Sequence, residues 1–229
     1  MLNDKGQKMQ NTTHRTASKT LFAIITATLF ISGIYALFKL FYSYDASGGY
    51  LLMLTQCALG IIGMILPALF ERYLHFTLAY GIRIMYYVFI FCAIFLGEVL
   101  YFYYTVPFWD SALHTASSVM LSLFAISITD AFYQNNATRV AIKPIFIYLF
   151  AFCFALSIGT LWEIYEFTFD AILGLNMQKF STQDGQMLVG RAALLDTMKD
   201  IIVDTLAALI TIATAYISDR RGEKKRANK

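Results

Sequence analysis

Long apolar stretches separated by short polar connections dominate the chain from about residue 20 onward. Six of them reach the ~20 residues that, at about 1.5 Å per residue, cover a hydrocarbon core of about 30 Å. The pattern predicts membrane-crossing helices near 20–42, 50–70, 77–104, 111–133, 143–169 and 197–217. Thr20 to Tyr42 is too long for the apolar region of a signal peptide, and no small-residue cleavage site follows it. This first segment is therefore expected to remain as an anchor. The connections are short except for an outer loop over 171–195, which holds Gly174, Gly185 and Gly190. Its second half carries Leu188, Val189, Ala192, Leu194 and Leu195, and is expected to lie along the membrane surface and lead into the sixth span. The predicted fold class is all-α: a polytopic membrane protein, a bundle of six transmembrane helices at 20–217, with basic tails at 1–19 and 218–229.

Composition narrows the class further. The chain has 229 residues, 58% hydrophobic and 14% charged, against roughly 25% charged in a soluble domain. Twenty Phe and fifteen Tyr exclude a disordered chain. Cys57, Cys92 and Cys153 each sit inside an apolar run, which argues for buried thiols and against a disulfide scaffold. The excess positive charge lies in the tails, so no nucleic-acid partner is expected. Lysines and arginines then set the orientation. Thirteen fall on one side: Lys5, Lys8, Arg15 and Lys19, then Arg72, Arg139 and Lys143, then six from Arg220 to Lys229. The other side holds Lys39, Lys179, Arg191 and Lys199, while Arg83, inside span three, is expected to snorkel to the cytoplasmic face. Both tails are thus expected in the cytoplasm, near anionic lipid.

The acidic residues carry most of the functional information. Asp4, Glu71, Asp130, Asp219 and Glu223 fall on the cytoplasmic side, and Asp45 and Asp184 in outer loops. The remaining eight are Glu98, Asp110, Glu163, Glu166, Asp170, Asp196, Asp200 and Asp204, all at the outer ends of spans three to six. Asp196, Asp200 and Asp204 recur every four residues and share one helix face, as do Glu163, Glu166 and Asp170 at intervals of three and four. Asp110, His114 and Ser118 line one face of span four. By the rise per residue, His114 lies about 6 Å inward of Asp110, Glu163 about 10 Å from Asp170, and Glu98 about 9 Å from Tyr104. Four helices thus bring polar groups to one shallow layer.

A charge at the centre of a spanning helix costs roughly 2.5–3.5 kcal/mol on insertion scales. Even halved, eight such groups amount to roughly 10 kcal/mol, comparable to a domain's whole stability. Lys179, Arg191 and Lys199 cannot balance them, so protons or a bound cation must supply positive charge. Oxygen ligands with one imidazole suit a divalent metal: Mn²⁺, Mg²⁺, Zn²⁺ or Fe²⁺. The expected ligand set is the eight acids with His114, and the expected catalytic residues are His114, Glu163 and Asp200. Protonated carboxylates in a relay, or a structural polar layer, are the alternatives. Glu98 is read either as a ligand or as the acceptor that fixes the His114 tautomer. An acid–base–nucleophile set of Asp110, His114 and Ser118 is disfavoured, because successive turns of one helix rarely give a base access to both partners. Trp109, Trp162, Tyr101, Tyr103 and Tyr104 read as an interfacial aromatic belt. Asn176, Gln178 and Lys179 either line the site from the loop or belong to an ordinary polar loop, and the second reading is preferred.

The runs Trp109-Asp110-Ser111-Ala112-Leu113-His114 and Trp162-Glu163-Ile164-Tyr165-Glu166-Phe167 with Asp170 are followed by Asn176-Met177-Gln178, Asp196-Thr197-Met198-Lys199-Asp200 and Asp204. Together they resemble the YjdF-like family of uncharacterised bacterial inner-membrane proteins, over roughly residues 95 to 217. The resemblance implies a bacterial plasma-membrane protein of the same helical fold and brings no activity. Ala207 or Ala208 stands where that pattern has a glycine, which bears on helix packing.

Three functions compete. A metal-dependent hydrolase of a lipid or lipid-linked substrate fits a shallow site at the headgroup boundary beside a long loop. A divalent-cation or proton-coupled transporter usually has its site near the midplane, between repeats, and neither feature is visible here. A structural or accessory subunit would use the acids to fix helix register. The oligomeric state is not legible.

Overall fold

A computed structural model describes residues 4–42, 49–135, 143–182 and 184–227. Asp45, Arg139 and Lys229 lie outside these. The helices are α1 (Asp4–Tyr42), α2 (Gly49–Gly63), α3 (Leu66–Leu74), α4 (Tyr80–Ile90), α5 (Phe102–Thr105), α6 (Trp109–Asn135), α7 (Pro144–Leu173) and α8 (Leu195–Ala227). A π-helical stretch, Phe91–Val99, continues α4, and a 3₁₀ turn, Gly190–Leu194, leads into α8. Among the described residues, six segments are long and apolar enough to cross a membrane: Thr12–Tyr42, Gly49–Leu74, Tyr80–Val99, Trp109–Phe132, Pro144–Leu173 and Gly190–Gly222. The shortest has 20 residues, enough for a core of about 30 Å. The chain divides into two compact units, Met1–Pro107 and Phe108–Lys229.

In the first unit, α1 packs against α2 and α4. Ile25, Leu29, Ser32 and Ala36 recur at helical spacing and are buried, while Phe30, Ile31, Ile34, Phe38 and Phe41 on the other faces are exposed. A helix apolar all round with only one stripe covered is what a lipid-facing helix needs. The stripe meets Met53, Cys57, Met64, Tyr87 and Ile94. The polar stretch before the first apolar run is helical from Asp4, and His14 stacks on Tyr80 with centroids 4.1 Å apart. The second span bends before Pro67, which has no N–H to continue the α2 ladder. Beyond it, the Glu71 carboxylate accepts from the Leu78 amide (2.7 Å) and from Arg83, fixing the turn into α4.

The third span ends earlier than the expected 77–104. The Leu100 amide donates to the Phe95 carbonyl five residues back (2.9 Å), and Tyr101 then turns left-handed at φ +61°. Five-residue bonds widen the helix and shift its faces, and the left-handed residue stops it. Gly97 is required here, because a Cβ would lie 2.4 Å from the Tyr103 ring that folds back over it.

In the second unit, α6, α7 and α8 pack against one another. Ala151, Ala155 and Gly159 form a buried stripe of small residues on α7, which lets its neighbours approach closely. Ala207 and Ala208, at the place of the expected glycine, are buried too. α7 ends where Gly174 takes φ +66° and donates to the Asp170 carbonyl (3.0 Å). The first half of the chain between α7 and α8 is folded back on itself. Asn176 exchanges two hydrogen bonds with the Ser181 backbone, and Ser181 pairs with Met187 across a tight turn. Away from this end, Tyr148 on α7 donates to Asp219 on α8.

Candidate functional site

The second unit gathers seven of the eight expected acids. α6 supplies Asp110 and His114 one turn apart; α7 supplies Glu163, Glu166 and Asp170; α8 supplies Asp196, Asp200 and Asp204. His114 is the hub. Its Nδ1 lies 3.2 Å from Asp204 Oδ2, and its Nε2 lies 3.9 Å from Asp110 Oδ1 and 3.8 Å from Glu163 Oε1. With the proton on Nδ1 donated to Asp204, the Nε2 lone pair faces Asp110 and Glu163. A carboxylate behind an imidazole fixes tautomer and ring orientation in this way at many metal sites. One ligand atom each from Asp110, His114 and Asp200 all lie within 4.8 Å of one another.

Burial separates this arrangement from a solvated acidic face. Asp200 is 2% exposed, Asp204 1% and Glu163 4%. Both Glu163 oxygens, Asp200 Oδ1 and Asp204 Oδ1 are buried without a hydrogen-bond partner. Unpartnered buried carboxylate oxygens are costly and call for a proton, a water or a cation. Lys199 comes only to 3.9 Å from Asp196 Oδ1 and Asp200 Oδ1.

The remaining acids are used differently. Glu166 accepts from Trp162 Nε1 on its own helix (2.9 Å), so Trp162 does more than line an interface. Asp170 accepts from the Met177 and Gln178 amides (2.7 and 3.0 Å) and pins the loop to the end of α7. Asp196 pairs with Lys179. Glu98 belongs to the first unit, buried in the π-helical stretch. Ser118 donates to the Asp204 backbone carbonyl (2.7 Å), so its hydroxyl supports α8 and is not activated by His114.

Lys179 and Gln178 are more than a polar loop. Gln178 Nε2 reaches Thr197 Oγ1 (2.9 Å) and the Glu163 carbonyl (3.4 Å). Lys179 donates to Asp110 and to both oxygens of Asp196 (3.0 and 3.1 Å). Burial alone would lower its ammonium; the carboxylates of Asp110 and then Asp196 outweigh this and hold it above the ordinary lysine value. The available signal was charge: in a layer of acids, a lysine in the loop between α7 and α8 is a natural counter-ion.

Gly159 was not among the expected site residues. A Cβ there would lie 2.3 Å from Asp204 Oδ2, the oxygen that holds His114. Gly159→Ala is therefore expected to destabilise the protein by about 1–3 kcal/mol through overpacking. Thermal unfolding in detergent would show a lowered midpoint, and an unchanged one would contradict this packing.

Among known proteins, a Thermotoga maritima protein described as uncharacterized is 30% identical over 157 residues, covering 68% of this chain and 72% of its own length. No solved structure matches the chain. Residues 18–221 match the family described as predicted membrane protein (DUF2238), and the chain, with its six apolar helices, belongs to that family.

Proposed function

We propose that this protein is a metal-dependent membrane hydrolase acting on a lipid or lipid-linked ester at the outer face of a bacterial plasma membrane, with both termini cytoplasmic. The observation that carries the reading is the convergence of Asp110, His114 and Asp200 within 4.8 Å beside a buried Glu163 whose oxygens have no hydrogen-bond partner. Oxygen donors with one imidazole suit Mn²⁺, Mg²⁺, Zn²⁺ or Fe²⁺. A bound ion of this kind supplies Lewis acidity and makes a nearby water more acidic. In this reading Asp110, His114 Nε2 and Asp200 hold the ion, Asp204 orients the imidazole, and Glu163 takes the proton of the attacking water. The position of the acids toward the ends of their spans supports a reacting centre near lipid headgroups. Charge asymmetry between the connections supports the orientation, and the likeness to the YjdF-like family supports the bacterial membrane.

Transport is less well supported. Beyond Asp204, the buried positions of α8 are Ala207 and Ala208, and no acid continues the path toward the midplane. An accessory role, in which the acids only fix register, predicts no metal at all.

The test is hydrolysis of phospholipids and polyprenyl phosphoesters by protein reconstituted in vesicles with Mn²⁺ or Zn²⁺. Product release should stop on chelation and return when the metal is restored. Release that ignores the chelator, or no release from any of these esters, would contradict the reading.

A further inference from the structure

Two carboxylates converge on Lys179. Asp196 turns both oxygens to Nζ, at 3.0 and 3.1 Å, which is a chelating grip. Asp110 divides its oxygens: Oδ1 faces His114 Nε2 at 3.9 Å, and Oδ2 accepts from Lys179. A carboxylate with one oxygen toward each of two cations is the bridging element of two-metal sites, whose ions sit about 3.5–4 Å apart, and helical bundles build such sites from inward-facing carboxylates. Both Glu163 oxygens and Asp200 Oδ1, buried and without a hydrogen-bond partner, independently mark the inner side of this bridge as a place for a cation.

The loop is built to deliver Lys179 to that spot. Asp170 fixes the two preceding backbone amides, and Gln178 ties the loop to α7 and α8. Lys179 itself adopts φ +50°, a left-handed conformation that costs a residue with a Cβ. Strain at this one residue, between pinned neighbours, is what forcing a side chain into a set position requires.

We propose that Lys179 occupies the seat of a second divalent ion, so that the centre holds one metal with a tethered ammonium across Asp110. This rests on the metal reading above. It assigns Lys179 a positioning role: a fixed positive charge beside the ion, independent of any second metal's affinity.

The experiment is Mn²⁺ titration of the purified full chain in detergent, with metal per chain and electron paramagnetic resonance as readouts. Lys179→Ala and Lys179→Met are both measured, the second keeping most of the side-chain volume so that the test does not depend on the stability of one variant. Wild type and Lys179→Arg should bind one magnetically isolated Mn²⁺. The two neutral variants should bind twice as much, with an exchange-coupled spectrum. One isolated ion in a monodisperse neutral variant, or two ions in wild type, would overturn the proposal while leaving the metal reading intact. No Mn²⁺ in wild type would overturn the metal reading itself, and this inference with it.

Discussion

Glu163→Gln is expected to reduce turnover by about 10²–10⁴-fold, the range for loss of a general base, while the bound metal stays in place. Glu163 is 4% exposed, its oxygens have no hydrogen-bond partner, and Oε1 stands 3.8 Å from His114 Nε2. It lies outside the triad whose ligand atoms cluster within 4.8 Å, and in the proposed reading it acts on a water rather than on the ion. Glutamine keeps the size and shape but cannot accept a proton. Because the substitution also removes a buried charge that has no hydrogen-bond partner, it should not lower stability; the thermal midpoint should hold or rise. Turnover and metal content measured on one preparation separate the roles. Intact turnover would remove Glu163 as the base, and loss of metal together with turnover would make it a ligand.

The fold was legible because a bilayer imposes a coarse rule: long apolar runs must be helices. Six were readable, and six helices are long and apolar enough to cross. Boundaries were less so. Nothing in Phe91–Val99 announces a π-helix, and the depth counted for Glu98 from Tyr104 assumed an α-helical rise across a segment that the left-handed Tyr101 interrupts. The four-residue spacing that stacked Asp196, Asp200 and Asp204 was informative, since periodicity fixes which face a residue occupies. It could not say which partner each would find there. Glu166 turned to Trp162 and Asp170 to the loop amides, because those contacts depend on rotamers and on how the chain returns from α7 to α8. Which acids Lys179 would meet was unreadable for the same reason: its position is set by the fold of a loop. Gly159 had a readable cue in the Ala151, Ala155, Gly159 stripe, which leads one turn later to Glu163. A small-residue stripe running into a buried acid marks where a neighbouring helix can press its own acid close.

The second large effect concerns the cation. If α6, α7 and α8 enclose a metal between Asp110, His114 and Asp200, removing the imidazole and neutralising Asp200 takes away two of three ligands. It also leaves Asp204, 1% exposed, without its imidazole partner. Single losses behind a ligand already cost metal affinity about 10–100-fold, so a double loss in the ligand set should empty the site. The direct measurement is elemental analysis of detergent-purified wild type beside His114→Ala with Asp200→Asn, both monodisperse. About one equivalent of divalent metal in wild type and almost none in the variant is the expected result. Equal metal content in the two proteins would contradict the account.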